Sequence, residues 1–259
     1  MPRRPETTFI SETQYRTQAV ARRGLNLAFP GEIAKEGRDE LEHASEFLES
    51  GGGVAIPYMH FDKGSIYQML AKITKYPAIG KRGVLVPIGY HEYPNIVSNL
   101  TSFVGIDLMP IVTQSTVDKM GTAAPPLFTG LSEFFTAAGE RMQHNGVVAM
   151  AVQGRRMSTL GEPQSNSMWT LLQKSRPLKQ PDVIPNVLIL PVAFRLVNNP
   201  SYDNSGFHFR KRMEVIPGKG ETVEEILAKI EGETLIKKYV KLEGYVFDRM
   251  REIVPDEYK

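Results

Sequence analysis

The chain has 259 residues, 41% of them hydrophobic, with 31 lysines and arginines against 29 aspartates and glutamates and a formal charge of +2. This length can bury one sizeable core, or a core with a small helical appendage, and the near balance of charge gives no bulk reason to expect nucleic acid as a partner. No cysteine is present, which removes disulfides, thiolate nucleophiles and cysteine-ligated zinc or iron–sulfur sites. No segment approaches the ~18 consecutive apolar residues of a membrane span. The basic N-terminus has no apolar run behind it, so no signal peptide is expected. A cytoplasmic chain, soluble or held peripherally at a membrane surface, is the expectation.

Residues 1–38 are polar and read as an N-terminal segment, with a short helix around Tyr15, Ala19 and Arg22 and a break at Phe29-Pro30-Gly31. Residues 39–259 read as one domain. Leu41, Ala44, Ser45 and Leu48 recur at helical spacing over Arg38–Glu49. Gly51-Gly52-Gly53 ends that helix and starts a strand over Val54–Tyr58. Ile66, Met69, Leu70 and Ile73 predict the next helix. Val84–Ile88 reads as a strand whose pairing Pro87 limits, Asn95–Val104 as helical, and Leu108–Val112 as a third strand.

The spacing of Leu131, Phe134, Phe135, Ala138 and Met142 predicts a helix over Leu127–His144, closed by Asn145-Gly146 before a strand over Val147–Val152. A short helix follows around Ser167–Lys174. Val187–Phe194 is the most apolar run and predicts a buried strand, and Phe207–Val215 alternates as a half-buried strand does. Pro217–Gly220 reads as a turn, and Thr222-Val-Glu-Glu starts a capped helix whose pattern continues toward Met250. Strands alternating with helices imply an α/β chain, a single layered domain with a mixed, mostly parallel sheet flanked by helices.

Two strands end in polar clusters. Val54–Met59 leads to His60, with Asp62, Lys63 and Ser65 just beyond. An imidazole there either accepts a proton near neutral pH or is satisfied by a backbone hydrogen bond at a strand end. Val147–Val152 leads to Gln153, Gly154, Arg155, Arg156 and Ser158. Paired guanidinium groups grip phosphate bidentately, and Gly154 permits close approach of the backbone, but surface arginines on an ordinary loop fit as well. A base and an anion clamp at the ends of two buried strands is the layout of a transferase acting on a phosphorylated alcohol.

Other signals are weaker. His91-Glu92 is a polar pair with no third ligand at metal-binding spacing, so no metal is expected. His43, His144 and His208 read as structural or exposed. The Gly51–Gly53 run lacks the lysine and hydroxyl of a phosphate-binding loop, and no nucleotide fingerprint or serine nucleophile elbow is present.

In their order along the chain, these elements resemble the glycerolipid acyltransferase superfamily, the glycerol-3-phosphate and lysophosphatidate acyltransferases. That family ends a strand in His, four intervening residues and Asp, and ends a later strand in Pro-Glu-Gly-Thr-Arg-Ser. His60 matches the first block, and Gly154, Arg156 and Ser158 match the second. Pro191, inside Val187–Phe194, is similar to the family's fourth block. The resemblance spans about residues 45–220. Ser65 stands where the family has Asp, Gln153 where it has Glu, and Arg155 where it has Thr. The intermediate block Gly105–Ile111 contains no arginine.

The resemblance implies a glycerol-3-phosphate acyltransferase-like fold and an O-acyltransferase of phospholipid synthesis. It would take acyl-CoA or acyl-carrier protein as donor and a polar-lipid precursor as acceptor, with no further cofactor. His60 would be the base and Asp62 its orienting acid. Arg155 and Arg156, with Gly154 and Ser158, would hold the acceptor phosphate, with Lys63, Ser65 and Gln153 as weaker candidates. The altered positions 65 and 153 leave a second expectation open: an inactive member of the fold that binds lipid or a protein partner.

Overall fold

The computed structural model describes residues 12–28, 31–59, 63–93, 104–152, 160, 167–176, 183–197, 213–232 and 234–259. Ten helices among them are α1 (Glu12–Thr17), α2 (Ala19–Ala28), α3 (Arg38–Glu49), α4 (Lys63–Ile73), α5 (Pro77–Arg82), α6 (Gln114–Met120), α7 (Leu131–Gln143), α8 (Ser167–Lys174), α9 (Val223–Lys229) and α10 (Leu235–Ile253). The strands are β1 (Gly31–Ile33), β2 (Gly53–Tyr58), β3 (Val84–Gly89), β4 (Ile106–Ile111), β5 (Val147–Ala151), β6 (Val187–Ile189), β7 (Val192–Leu196), β8 (Met213–Pro217) and β9 (Glu221–Thr222). They form one sheet in the order β1-β8-β7-β2-β5-β3-β4, with β6 on β2 and β9 on β6.

The sheet is mixed and mostly parallel, and helices flank it. Among the described residues, only β7–β8 and β6–β9 pair antiparallel. All six residues of β2 are buried, as are four of the five in β5, because both faces of the sheet's centre are covered. Gly53 is where β2 passes under α7. A Cβ there would lie 2.7 Å from the Met142 carbonyl oxygen, so only glycine allows this approach.

The predicted helix Arg38–Glu49 forms, burying Leu41, Ala44 and Leu48, while Ser45 turns back to donate to the Leu41 carbonyl at 2.8 Å. The stripe Ile66, Met69, Leu70 and Ile73 lies in the core from α4. Pro87 does limit pairing: β3 pairs β4 through Gly89 but pairs β5 only at Val84 and Leu85. Thr222 caps α9 with a reciprocal bond from Glu225.

Four expectations need correction. The helix expected from Leu127 begins at Leu131, because Phe128 and Gly130 take positive φ and cannot continue a helix. The apolar run 187–194 is two strands, not one. Pro191 has no N–H for the ladder, so β6 and β7 lie in succession along the same side of β2. The strand expected over Phe207–Val215 is observed as Met213–Pro217, since Pro217 still pairs with Val192; residues 207–212 lie outside the described residues. The helical pattern from 223 toward 250 is divided between α9 and α10. The helix expected over 95–104 falls almost wholly outside the described residues.

Candidate functional site

β2 and β5 are immediate neighbours, parallel and in register from Val54↔Val147 to Tyr58↔Ala151. Their C-terminal ends therefore lie side by side. The Val152 N–H donates to the Tyr58 carbonyl at 3.3 Å, and the Met59 N–H donates to the Val192 carbonyl at 3.1 Å. Met59 and Val152 are the last described residues before 60–62 and 153–159. His60, Asp62, Gln153, Gly154, Arg155, Arg156 and Ser158 lie outside the described residues.

Of the remaining candidates, Lys63 opens α4, and its side chain lies outside the described residues. Ser65 sits in the first turn of α4 and is fully buried. A buried hydroxyl has neither the charge nor the acidity of the carboxylate that the acyltransferase pattern carries at this position.

Beneath the same edge are two tyrosines. Burial, and next the nearby Tyr67, push the Tyr58 hydroxyl far above its usual value. Tyr67 on α4 is pushed up to about 12, by burial first and then by the Glu92 carboxylate. Both keep their protons at any physiological pH, so they serve as donors and not as bases.

Glu92 belongs to the 3-10 turn Tyr90–Glu92 that ends β3, and its neighbour His91 is more connected than a loop pair suggests. The His91 ring lies between Thr116 and Lys119, both on α6. Sequence reasoning missed α6 because its two apolar residues, Val117 and Met120, make a single i,i+3 pair, too short to show a helical period. The available signal was Thr113-x-x-Thr116, which forms a capping box at the start of α6.

Elsewhere, His43 is exposed, and His144 Nδ1 lies 2.7 Å from the Glu140 carbonyl at a helix end. No group of three or more His, Asp or Glu able to hold a metal occurs among the described residues. Nor, among them, is any helix long and apolar enough to cross a membrane.

The class of protein defined by this sheet is α/β, with a mixed, mostly parallel sheet flanked by helices. Among solved structures the chain is similar to the 1-acyl-sn-glycerophosphate (LPA) acyltransferase PlsC from Thermotoga maritima, at a TM-score of 0.40 and 10% identity over 93% of this chain and 94% of that one. No family model and no curated protein matches the chain.

Proposed function

We propose that this chain is an O-acyltransferase that moves a fatty acyl group from acyl-CoA or acyl-carrier protein to the hydroxyl of a phosphorylated glycerolipid precursor. One observation carries the reading: β2 and β5 are in-register parallel neighbours. A single Cα–Cα step, about 4 Å, separates Met59 from His60 and Val152 from Gln153. The C-terminal edge of a mostly parallel sheet is also where such folds bind ligands.

In this reading the His60 imidazole takes the hydroxyl proton as the oxygen attacks the thioester carbonyl. The C–O bond forms and the C–S bond breaks. The imidazolium then returns its proton to the departing thiolate. Arg155 and Arg156 grip the acceptor phosphate and fix the hydroxyl near the base, which converts binding energy into orientation. Asp62 steadies the imidazolium. These substrates suit a cytoplasmic reaction, with the chain in solution or held peripherally at a membrane surface.

Release of free thiol from acyl-CoA and acyl-carrier protein tests this, with glycerol 3-phosphate, lysophosphatidate and unphosphorylated acceptors. His60→Ala is expected to lower turnover by about a hundredfold or more, and Arg156→Ala to raise the acceptor KM. No thiol release across the whole panel overturns the reading.

Ser65 favours a second reading. With a buried hydroxyl in place of the family's acid, the chain would bind lipid or a protein partner without turning over. Lipid binding that survives His60→Ala, without thiol release, distinguishes it.

A further inference from the structure

At the end of β3 stands a second polar cluster, built wholly of described residues. The His91 ring fills space that a glycine leaves open, since a Cβ on Gly89 would meet His91 Cε1 at 2.9 Å. Nδ1 lies 3.0 Å from Thr116 Oγ1, and Nε2 lies 2.9 Å from Lys119 Nζ. Thr116 is fully buried and the His91 side chain is 12% exposed, whereas Lys119 faces solvent. The Glu92 carboxylate, 25% exposed, is 3.5 Å from Nε2.

The tautomer is inferred from these distances and from the charge of lysine. A solvent-exposed lysine is an ammonium, which only donates, so the Nε2 facing it carries no proton. Nδ1–H therefore donates to Thr116 Oγ1. Thr116 Oγ1 passes the bond on to Thr113 Oγ1 at 3.3 Å, which also accepts from the Thr116 N–H. The ring is held by the buried Thr116 hydroxyl, with its other nitrogen facing an ammonium. Among the described residues, the charged and titratable groups around it include Glu92 on its own turn, Lys119 from α6 and, behind Glu92, Tyr67 from α4.

We infer that His91 and Lys119 form an anion site at the C-terminal edge of the sheet, taking a phosphate or a similar dianionic oxyanion. Protonated His91 and Lys119 repel each other at this distance unless an anion joins them. With one bound, both nitrogens donate to it, and His91 takes a proton from solvent. The Glu92 carboxylate, 3.5 Å from Nε2, favours the imidazolium but opposes the incoming anion, so the two nitrogens supply the affinity. Lys119 lies on the open side, so an anion reaches it without displacing the core. The inference uses neither His60 nor the two arginines, and it stands or falls apart from acyl transfer.

The test is nuclear magnetic resonance of the histidine rings in the full chain, titrated with millimolar inorganic phosphate against matched chloride. A saturable shift of the His91 ring, assigned with His91→Gln, is expected. Lys119→Met should weaken it about tenfold, the loss of one charge-assisted contact. Lys119→Arg should restore it. Sulfate, whose charge does not titrate, should bind more tightly near pH 6 than near pH 8, roughly the window of imidazole titration.

Glycerol 3-phosphate and CoA, compared with phosphate alone, assign the source, since the tightest binder names it and any order supports the site. A His91 ring that does not move, that moves equally in chloride, or that moves equally in Lys119→Met overturns the inference. Thiol release that fails while the His91 shift persists overturns the proposed reaction and leaves this site standing.

Discussion

At the N-terminal ends of β2, β3, β4 and β5, positive φ falls on residues that adopt it at low cost: Gly51 at 98°, Gly83 at 67°, Gly105 at 85° and Asn145 at 58°. Beyond the C-terminal end of β4, Gly121 at 56° and Gly130 at 83° do the same, but there an aromatic residue joins them. Phe128 holds φ at 66° while its N–H donates to the Val112 carbonyl at 2.9 Å. The charges differ in the same way. At the N-terminal end Arg141, 3% exposed, is locked 2.5 Å from Asp107 and reaches the Arg82 carbonyl at 3.4 Å. At the C-terminal end Lys119 is open to water beside His91 and Glu92. One end is optimised as a joint. The other tolerates strain and accessible charge, as the ligand-bearing edge of a parallel sheet does.

The contrast predicts a large difference between two lysine- or arginine-to-methionine changes. Arg141→Met leaves Asp107 without its partner and is expected to cost about 3 kcal/mol, lowering Tm by on the order of 10 °C. Lys119→Met should change stability by less than about 0.5 kcal/mol. Urea unfolding of both variants measures this, and equal losses would break the contrast.

Glu221 on β9 gives a second locked carboxylate to set against Glu92. Its side chain is 4% exposed and meets Lys229, Arg249 at 3.4 Å and the Tyr245 hydroxyl at 2.9 Å. Burial pushes its pKa up, but the hydrogen bonds from Lys229 and Tyr245 and the charges of Lys229 and Arg249 outweigh it and hold the pKa below 4.5. A depressed carboxyl contributes stability above its unfolded value and loses it as pH falls through the folded one. Glu221→Gln should therefore cost about 2 kcal/mol near neutral pH. The gap from wild type should narrow below 4.5, where the native carboxyl also takes its proton. An unchanged gap in acid would remove Glu221 from the locked class.

Much of this scaffold was legible wherever a signal is local. The period of Leu41, Ala44 and Leu48, the glycine run before β2 and the Thr222–Glu225 cap each sit within one or two turns of chain. β1 and β9 were not, because strands of three and two residues carry no period. The break at Pro191 was visible as a residue but not as an event, since only pairing with β2 shows two strands in succession. Leu127 and Phe128 fit an apolar helical stripe, and their exposure of 41% and 57% shows that they do not serve as one. At the candidate site, the polar ends of β2 and β5 were readable, but their adjacency is a long-range fact of the sheet. His91 looked isolated because its partners Thr116 and Lys119 lie 25 and 28 residues away. No spacing rule reaches across a strand, a turn and a helix.

The smallest effect probes the strain itself. An L-residue in the left-handed region costs roughly 1–2 kcal/mol, and asparagine is among the few that take it readily. Phe128→Ala removes the ring and keeps the strained backbone, whereas Phe128→Asn removes the ring and relieves the strain. The asparagine variant should therefore be the more stable of the two by about 0.5–1 kcal/mol. Glycine would relieve the same strain but give back roughly 0.5–1 kcal/mol through the freedom of the unfolded chain. The mirror experiment is Asn145→Ala at the opposite end, which should cost a similar amount because it introduces strain that the native residue avoids. If Phe128→Ala and Phe128→Asn melt together while Asn145→Ala is destabilised, the φ of Phe128 stores no energy. The two ends of the sheet would then differ in charge alone.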